Sequence, residues 1–148
     1  MGLVALGGSG HEPAHAGYIG EGMLDAVAVG NLFASPSPDQ ILKAIEEANT
    51  GRGVLVILKN YSGDLMNFSI AKELAEEESI RVESVVVKDD VAVQDSTYST
   101  GRRGIAGTVF VHKIAGARAA EGAELEEEMS ITIALAGNPN CGKTTLFN

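Results

Sequence analysis

The stretch Ser37-Pro38-Asp39-Gln40-Ile41-Leu42-Lys43-Ala44-Ile45-Glu46-Glu47-Ala48-Asn49-Thr50-Gly51-Arg52-Gly53-Val54-Leu55-Val56-Ile57-Leu58 reads as one helix followed by one buried strand. Ser37 and Gln40 form a capping box, in which the serine hydroxyl takes the Gln40 N–H and the glutamine side chain reaches back to the Ser37 N–H. Pro38 stands at the first helical position, where its fixed φ suits the helix and its missing N–H costs nothing. Ile41, Leu42, Ile45 and Ala48 then recur at helical spacing and make one apolar face, and Asn49 to Gly51 signals the end. Val54 to Leu58 is an unbroken apolar run of strand length, as expected of a strand covered on both faces of a parallel sheet.

Outward from this unit the pattern repeats. Leu3 to Leu6, Ala26 to Val29, Val82 to Val87 and Ile131 to Ala136 are further short apolar runs, separated by longer helical patterns. That alternation predicts an α/β fold, a mostly parallel sheet with crossover helices. A second helix is expected from about Ser62 to Glu78, with Leu65, Phe68, Ala71, Leu74 and Ala75 buried and the glutamates of its tail solvated, at the unfavourable end of the macrodipole. A third is expected from near Arg103, with Ile105, Ala106, Val109, Phe110 and Ile114 as its apolar face and Gly104, Gly107 and Gly116 allowing close packing. Glu121 to Glu128 reads as an exposed acidic helix tail or linker.

At 148 residues the chain has the size of one domain, and two full catalytic domains do not fit. Apolar residues at 45 % and charged residues at 21 % describe a folding chain, not a disordered one. Glycine supplies 18 of the 148 residues, about 12 % against about 7 % on average, so tight turns and close backbone approaches carry weight. The net charge of −9 argues against nucleic acid and anionic membrane as partners. No apolar run reaches the roughly 18 residues of a transmembrane helix, which predicts no membrane insertion. Met1-Gly2-Leu3-Val4-Ala5-Leu6 has neither a basic leader nor a myristoylation pattern, so the expected location is the cytoplasm. The single Cys141 has no internal disulfide partner, in keeping with a reducing compartment.

In an open parallel sheet the chemistry belongs to the loops beyond the carboxyl ends of the strands. After Leu6 comes Gly7-Gly8-Ser9-Gly10-His11-Glu12-Pro13, whose glycines permit a turn with converging N–H groups, suited to an oxyanion, a phosphate or polyol oxygens, and which carries a group titrating near neutrality. After Leu58 comes Lys59-Asn60-Tyr61-Ser62-Gly63-Asp64, expected on the same rim. Lys88-Asp89-Asp90, Asp95 and Gly101-Arg102-Arg103-Gly104 add further charges there. Such a rim suits deprotonating a hydroxyl and stabilising an anionic transition state. Each residue also has a plainer reading. Asp64 can charge the first turn of a helix capped by Ser62; Asp89 and Asp90 can form a turn, with a metal pair as a minor option; His15 and His112 read as structural or surface residues. Arg102 and Arg103 serve equally as surface, interface or anion-binding residues.

Five ordered motifs, Gly7 to Pro13, Gly17-Tyr18-Ile19-Gly20-Glu21-Gly22-Met23, Phe33-Ala34-Ser35-Pro36-Ser37-Pro38-Asp39, Lys59 to Asp64 and Gly101 to Gly104, together resemble the substrate-binding K part of dihydroxyacetone kinases, over about residues 3–128. The resemblance implies a K domain that binds dihydroxyacetone and holds no cofactor, the phosphoryl group coming from a separate L domain or subunit that holds ATP, or ADP in the phosphotransferase-linked form. It places Gly8, Ser9, Gly10, His11, Lys59 and Asp64 at the substrate, with His11 and Asp64 catalytic, Asp64 as base or orienting carboxylate, and so takes precedence over the plainer reading of Asp64. In the family a second histidine, downstream of the GRRG motif, forms a covalent hemiaminal with the ketone; neither His15 nor His112 matches it. The expectation is therefore a partial K domain over residues 1–128 that recognises dihydroxyacetone noncovalently, with phosphoryl transfer absent or very slow unaided. Association with other K subunits, a homodimer included, is open through its sheet edges.

Residues 129–148 resemble something else. Ile131 to Ala136 leads into Gly137-Asn138-Pro139-Asn140-Cys141-Gly142-Lys143-Thr144, a G-x-x-x-x-G-K-T phosphate loop similar to the opening of the GTPase domain of ferrous iron transport protein B. On that alternative, Gly137, Asn138, Asn140 and Gly142 wrap the phosphates of GTP, Lys143 reaches the β/γ oxygens and Thr144 holds Mg²⁺. Only five residues follow Lys143, and the guanine-selecting and γ-phosphate motifs are missing. This segment is accordingly expected to be the start of an incomplete P-loop domain, joined near Met129. A remnant with neither activity is the third reading.

Overall fold

The first strand, β1 (Gly2–Ser9), lies inside a four-stranded sheet with β2 (Ala26–Leu32), β3 (Val54–Lys59) and β4 (Val82–Val87), in the order β2-β1-β3-β4. Every pairing is parallel. A computed structural model describes residues 1–92 and 101–125. The fifth apolar run, Ile131 to Ala136, lies outside the described residues, as do Asp95 and the phosphate-loop residues Gly137, Asn138, Asn140, Gly142, Lys143 and Thr144. The expected α/β class is the one found. Strand β1 runs further than its apolar core, because Gly7 and Gly8 continue the ladder opposite Val29 and Gly30.

The two faces of the sheet alternate residue by residue, as the pleat requires. Val4, Leu6, Val54, Val56, Leu58 and Val82 pack beneath two helices, α1 (Pro38–Ala48) and α2 (Ser62–Glu77). Leu3, Ala5, Leu55, Ile57, Val85 and Val87 face the other way, toward Leu24, Leu125 and the third helix, α3 (Thr108–Ala120). Helix α1 carries the capping box as read: Gln40 N–H donates to Ser37 Oγ at 3.3 Å and Ser37 N–H to Gln40 Oε1 at 2.9 Å. Ile41, Ala44, Ile45 and Ala48 are its buried residues.

Four expectations need correction. Ser62 is the first residue of α2, not its cap; Tyr61 holds the cap position without a side-chain bond. Leu65 and Leu74 are half-buried, and Asp64, Phe68, Ala71 and Ala75 face inward. Helix α3 starts five residues later than expected from Arg103, and with a different face inward: Thr108, Val111, His112, Ala115 and Gly116 are buried, whereas Ile105 and Phe110 are 46 % and 51 % exposed. The cause is local. The Asp89 carboxylate accepts the Ile105 N–H at 2.6 Å and the Gly107 N–H at 2.7 Å, holding residues 105–107 as a turn and setting the rotation of the helix that follows. That rotation brings Gly116 against the backbone of Gly22 and Met23, where no side chain would fit. The acidic segment is likewise not a wholly solvated tail: Ala123 and Leu125 are buried, while Glu124 pairs with Arg52 at 2.6 Å on the surface.

Candidate functional site

Strand β1 sits between β2 and β3, so the chain leaves it in one direction and later returns to its other side. The β1–β2 connection, which contains a single 3-10 turn at Ala16–Tyr18, lies on the α3 face, where Tyr18 packs; the β2–α1–β3 crossover covers the opposite face. Loops diverging from neighbouring strands leave a crevice at the carboxyl edge, the usual ligand position in such sheets. The crevice here is a cavity of about 80 Å³.

Three loops build it. The β1 loop contributes Gly7, Gly8 and His11; the β2 loop contributes Phe33, Ala34 and Ser35; the β3 loop and the start of α2 contribute Lys59, Tyr61 and Asp64. Glycine is required at position 8, where a Cβ would stand 2.7 Å from the Ala34 nitrogen, and at Gly10, whose φ is +91°. The His11 and Phe33 rings meet edge to face with centroids 5.1 Å apart. Phe33 holds a left-handed φ of 53°, an uncommon conformation for a bulky residue and one found preferentially at ligand sites.

Asp64 is the buried charge of the cavity, 6 % exposed in the first turn of α2. Burial raises its carboxyl above the ordinary aspartate value, and a hydrogen bond with the Ser35 side chain, the Lys59 ammonium and His11 pull in the opposite direction. Gly63 lies so near Ser35 that a Cβ would stand 2.7 Å from its hydroxyl oxygen, which keeps Ser35 free to reach Asp64. Lys59 Nζ lies 5.3 Å from the centroid of Tyr61, and the Arg103 guanidinium 5.7 Å from the same ring. The buried Asn60 donates to the Arg102 carbonyl at 2.7 Å and so ties the GRRG turn to the β3 loop.

Of the expected site residues, Gly8, His11, Lys59 and Asp64 come together on this cavity. Ser9 and Gly10 do not line it: the Ser9 carbonyl accepts the Phe33 N–H at 2.8 Å, and the Gly10 N–H is taken by Glu12 Oε1 at 2.9 Å. These two shape the turn. That backbone bond also lowers the Glu12 carboxyl below its ordinary value. The residues that sequence reasoning left out are Ser35, Phe33 and Tyr61; the first two belong to a motif that was recognised as such but from which no residue was assigned to the site. Asp89 and Asp90 belong to the turn reading, Asp89 as the anchor of α3 and Asp90 through its N–H to the Arg103 carbonyl at 3.0 Å. Among the described residues no cluster of three or more His, Cys, Asp or Glu is arranged to hold a metal. No helix of the described residues is long and apolar enough to cross a membrane. His15 and His112 are buried against each other, which makes them structural residues and not surface ones.

Comparison with known proteins places this geometry. The Dak1 domain family model matches residues 1–140. The chain is 62 % identical over 127 residues to the dihydroxyacetone-binding subunit DhaK of a PTS-dependent dihydroxyacetone kinase of Listeria innocua, covering 86 % of this chain and 39 % of that protein. It is 45 % identical over 134 residues to DhaQ of Lactococcus lactis, a coactivator of the DhaKLM operon, covering 90 % of this chain and 41 % of DhaQ. The crystal structure of the dihydroxyacetone kinase of C. freundii superposes with a TM-score of 0.87 at 45 % identity, over 93 % of this chain and 25 % of that one. The chain thus spans about two fifths of the length of the curated subunits it matches. The family match continues through residues 129–140, the segment read as the start of a P-loop domain, and gives the ferrous iron transport reading no support. With a match over nearly its whole length, the chain belongs to the Dak1 domain family, the dihydroxyacetone-binding type of domain found in DhaK subunits.

Proposed function

We propose that this chain recognises dihydroxyacetone in the cavity between the β1, β2 and β3 loops, as the substrate-binding part of a dihydroxyacetone kinase. The observation that carries the reading is the convergence of His11, Lys59 and Asp64, from loops of the first and third strands, on one cavity of about 80 Å³ that Gly7 and Gly8 help to line. The substrate is a small neutral ketone with two hydroxyl groups. Asp64 takes the proton of the hydroxyl to be phosphorylated; its raised carboxyl value makes it a stronger base than a solvated aspartate. His11 holds that hydroxyl in line and shares the proton. Lys59 contacts the substrate and offsets negative charge as it develops on the attacking oxygen. Gly8 admits the substrate close to the backbone, and Ser9 and Gly10 hold the turn that presents His11. On this reading the recognition is noncovalent; among the described residues neither His15 nor His112 lines the cavity. The phosphoryl group comes from ATP or an ADP-bound donor on an L-type partner, so transfer by this chain unaided is absent or very slow.

A thermal melt with and without excess dihydroxyacetone tests this. Ligand at about 100 times its dissociation constant adds about 2.7 kcal/mol, a rise of several degrees for a domain of this size. The rise is expected to vanish in His11→Ala and in Asp64→Ala. A cooperative melt that ignores the ketone overturns the reading, and His11-dependent phosphorylation of the ketone by the isolated chain overturns its second half.

A further inference from the structure

We propose that the buried His15–His112 pair is a positioning device for the substrate loop: bonded to each other between that loop and α3, the two imidazoles set where His11 stands. The inference rests on the reading of His11 as a substrate-site residue. His15 Nδ1 and His112 Nε2 lie 3.0 Å apart, with the rings edge to face at 5.2 Å between centroids. His15 follows His11 by four residues, and the segment between them is wound by its own backbone: the Ala14 N–H donates to the His11 carbonyl at 3.1 Å, Gly17 to Pro13 at 2.9 Å and Tyr18 to His15 at 2.9 Å. Residues 11–18 therefore shift together. The strand beneath is bare where the His15 ring rests, since a Cβ on Gly7 would stand 3.2 Å from His15 Cδ2. Tyr18 leaves the same loop and places its ring 6.0 Å from that of His112.

His112 in turn has a fixed address. It lies in the second turn of α3, whose entry is held by Asp89, two residues beyond β4. Position is thus passed from the sheet through Asp89 and α3 to His112, then to His15 and His11.

Packing alone does not account for imidazoles here. His15 Nε2 and His112 Nδ1 have no partner within the described residues, and buried unpartnered nitrogens destabilise a fold that two aliphatic side chains would stabilise. What the pair supplies instead is direction, because an N–H···N bond is strong only where the N–H of one ring points at the lone pair of the other. Such a bond requires the accepting ring to be neutral, its bare nitrogen facing the N–H of the other, and cannot form between two imidazoliums. Burial meets that requirement by depressing His15 to about 3 and His112 to about 4, with the charges of Lys59 adding to the effect at both. Both histidines also line a second cavity, of about 340 Å³, whose wall includes His11 and Lys59, so the pair and the substrate residues face one shared space.

The test compares the full 148-residue chain with His112→Leu and His112→Gln, the latter carrying an amide that reaches the place of Nε2. Dihydroxyacetone binding is titrated calorimetrically, and backbone amide exchange is followed by NMR. His112→Leu is expected to melt no lower than wild type by more than a few degrees, yet to bind at least tenfold more weakly and to exchange the amides of residues 10–18 at least tenfold faster, with α1 unchanged. His112→Gln is expected to recover most of both. Wild-type affinity and loop exchange in His112→Leu overturn the proposal, as does equal damage in the two variants, which is what a merely structural role gives. Should His112→Leu fail to fold, the same comparison is made between His15→Leu and His15→Asn, and equal loss in those two overturns it. If wild type does not bind the ketone, the proposed function fails, and loop exchange by itself decides the positioning role.

Discussion

The two faces of the sheet are built on different principles. Under α1 and α2 the core is made of aliphatic residues and Phe68, with helices whose apolar positions lock into the strands and Asp64 as the one buried charge among the described residues, at the cavity end of α2. Under α3 the corresponding volume holds Leu3, Leu55 and Ile57 together with a pair of histidines, a buried threonine and a glycine pressed onto a neighbouring loop. Away from Asp64, the first face answers to hydrophobic burial, and any well-packed apolar set of the same volume serves it. The second is linked by directional bonds to the loop that carries His11. One face holds the domain together; the other holds the site in register.

Substitutions on the two faces separate these roles. The largest effect expected is from Ile45→Ala, a fully buried residue of the α1 face: a loss of about 2–5 kcal/mol in denaturant unfolding, with the dissociation constant for dihydroxyacetone unchanged wherever the chain is folded. A parallel loss of affinity would mean that the faces are not separable.

Acid unfolding sharpens the contrast from the other side. His15 and His112 have folded-state values of about 3 and about 4, against 6.5 unfolded. Below pH 6.5 the unfolded chain binds more protons, so the stability fully present above that value falls as the pH drops toward 4, by up to about 1.4 kcal/mol per pH unit for each histidine. Asp64, held up by burial, acts in the opposite sense as the pH falls through its folded value toward 3.8. Urea midpoints between pH 7 and pH 5 are therefore expected to drop in wild type and to drop much less in the double variant His15→Asn/His112→Gln. A flat wild-type profile would remove the buried neutral pair from the account.

The smallest effect returns to the first face. Ser37→Ala removes one half of the α1 capping box and is expected to cost about 1 kcal/mol, without any change in ketone binding or in loop exchange.

The same division runs through what was legible in the sequence. Helix α1 and its cap, the four strands and the bounds of α2 could be read from periodicity and turn chemistry, because each depends on neighbours within a few residues. The placement of Gly8, His11, Lys59 and Asp64 on one rim followed from strand alternation and from family resemblance together. Ser35 escaped notice because its part is to reach a carboxylate 29 positions along the chain, and no local pattern reports that. The face of α3 was misjudged for a related reason. Ile105 and Phe110 are more apolar than His112 and Thr108, yet the side that turns inward is decided by Asp89 gripping the helix entry and by the close approach that Gly116 allows.

By itself, then, the sequence determined the α/β class, the order of its elements and which loops share an edge, since hydrophobic period and strand length leave few arrangements open. Only the tertiary structure decided that two histidines 97 residues apart share one buried hydrogen bond, that Ser35 meets Asp64, and that Ser9 and Gly10 spend their backbone groups on the turn. These are contacts between distant segments, whose geometry exists only after the sheet has set its strands side by side.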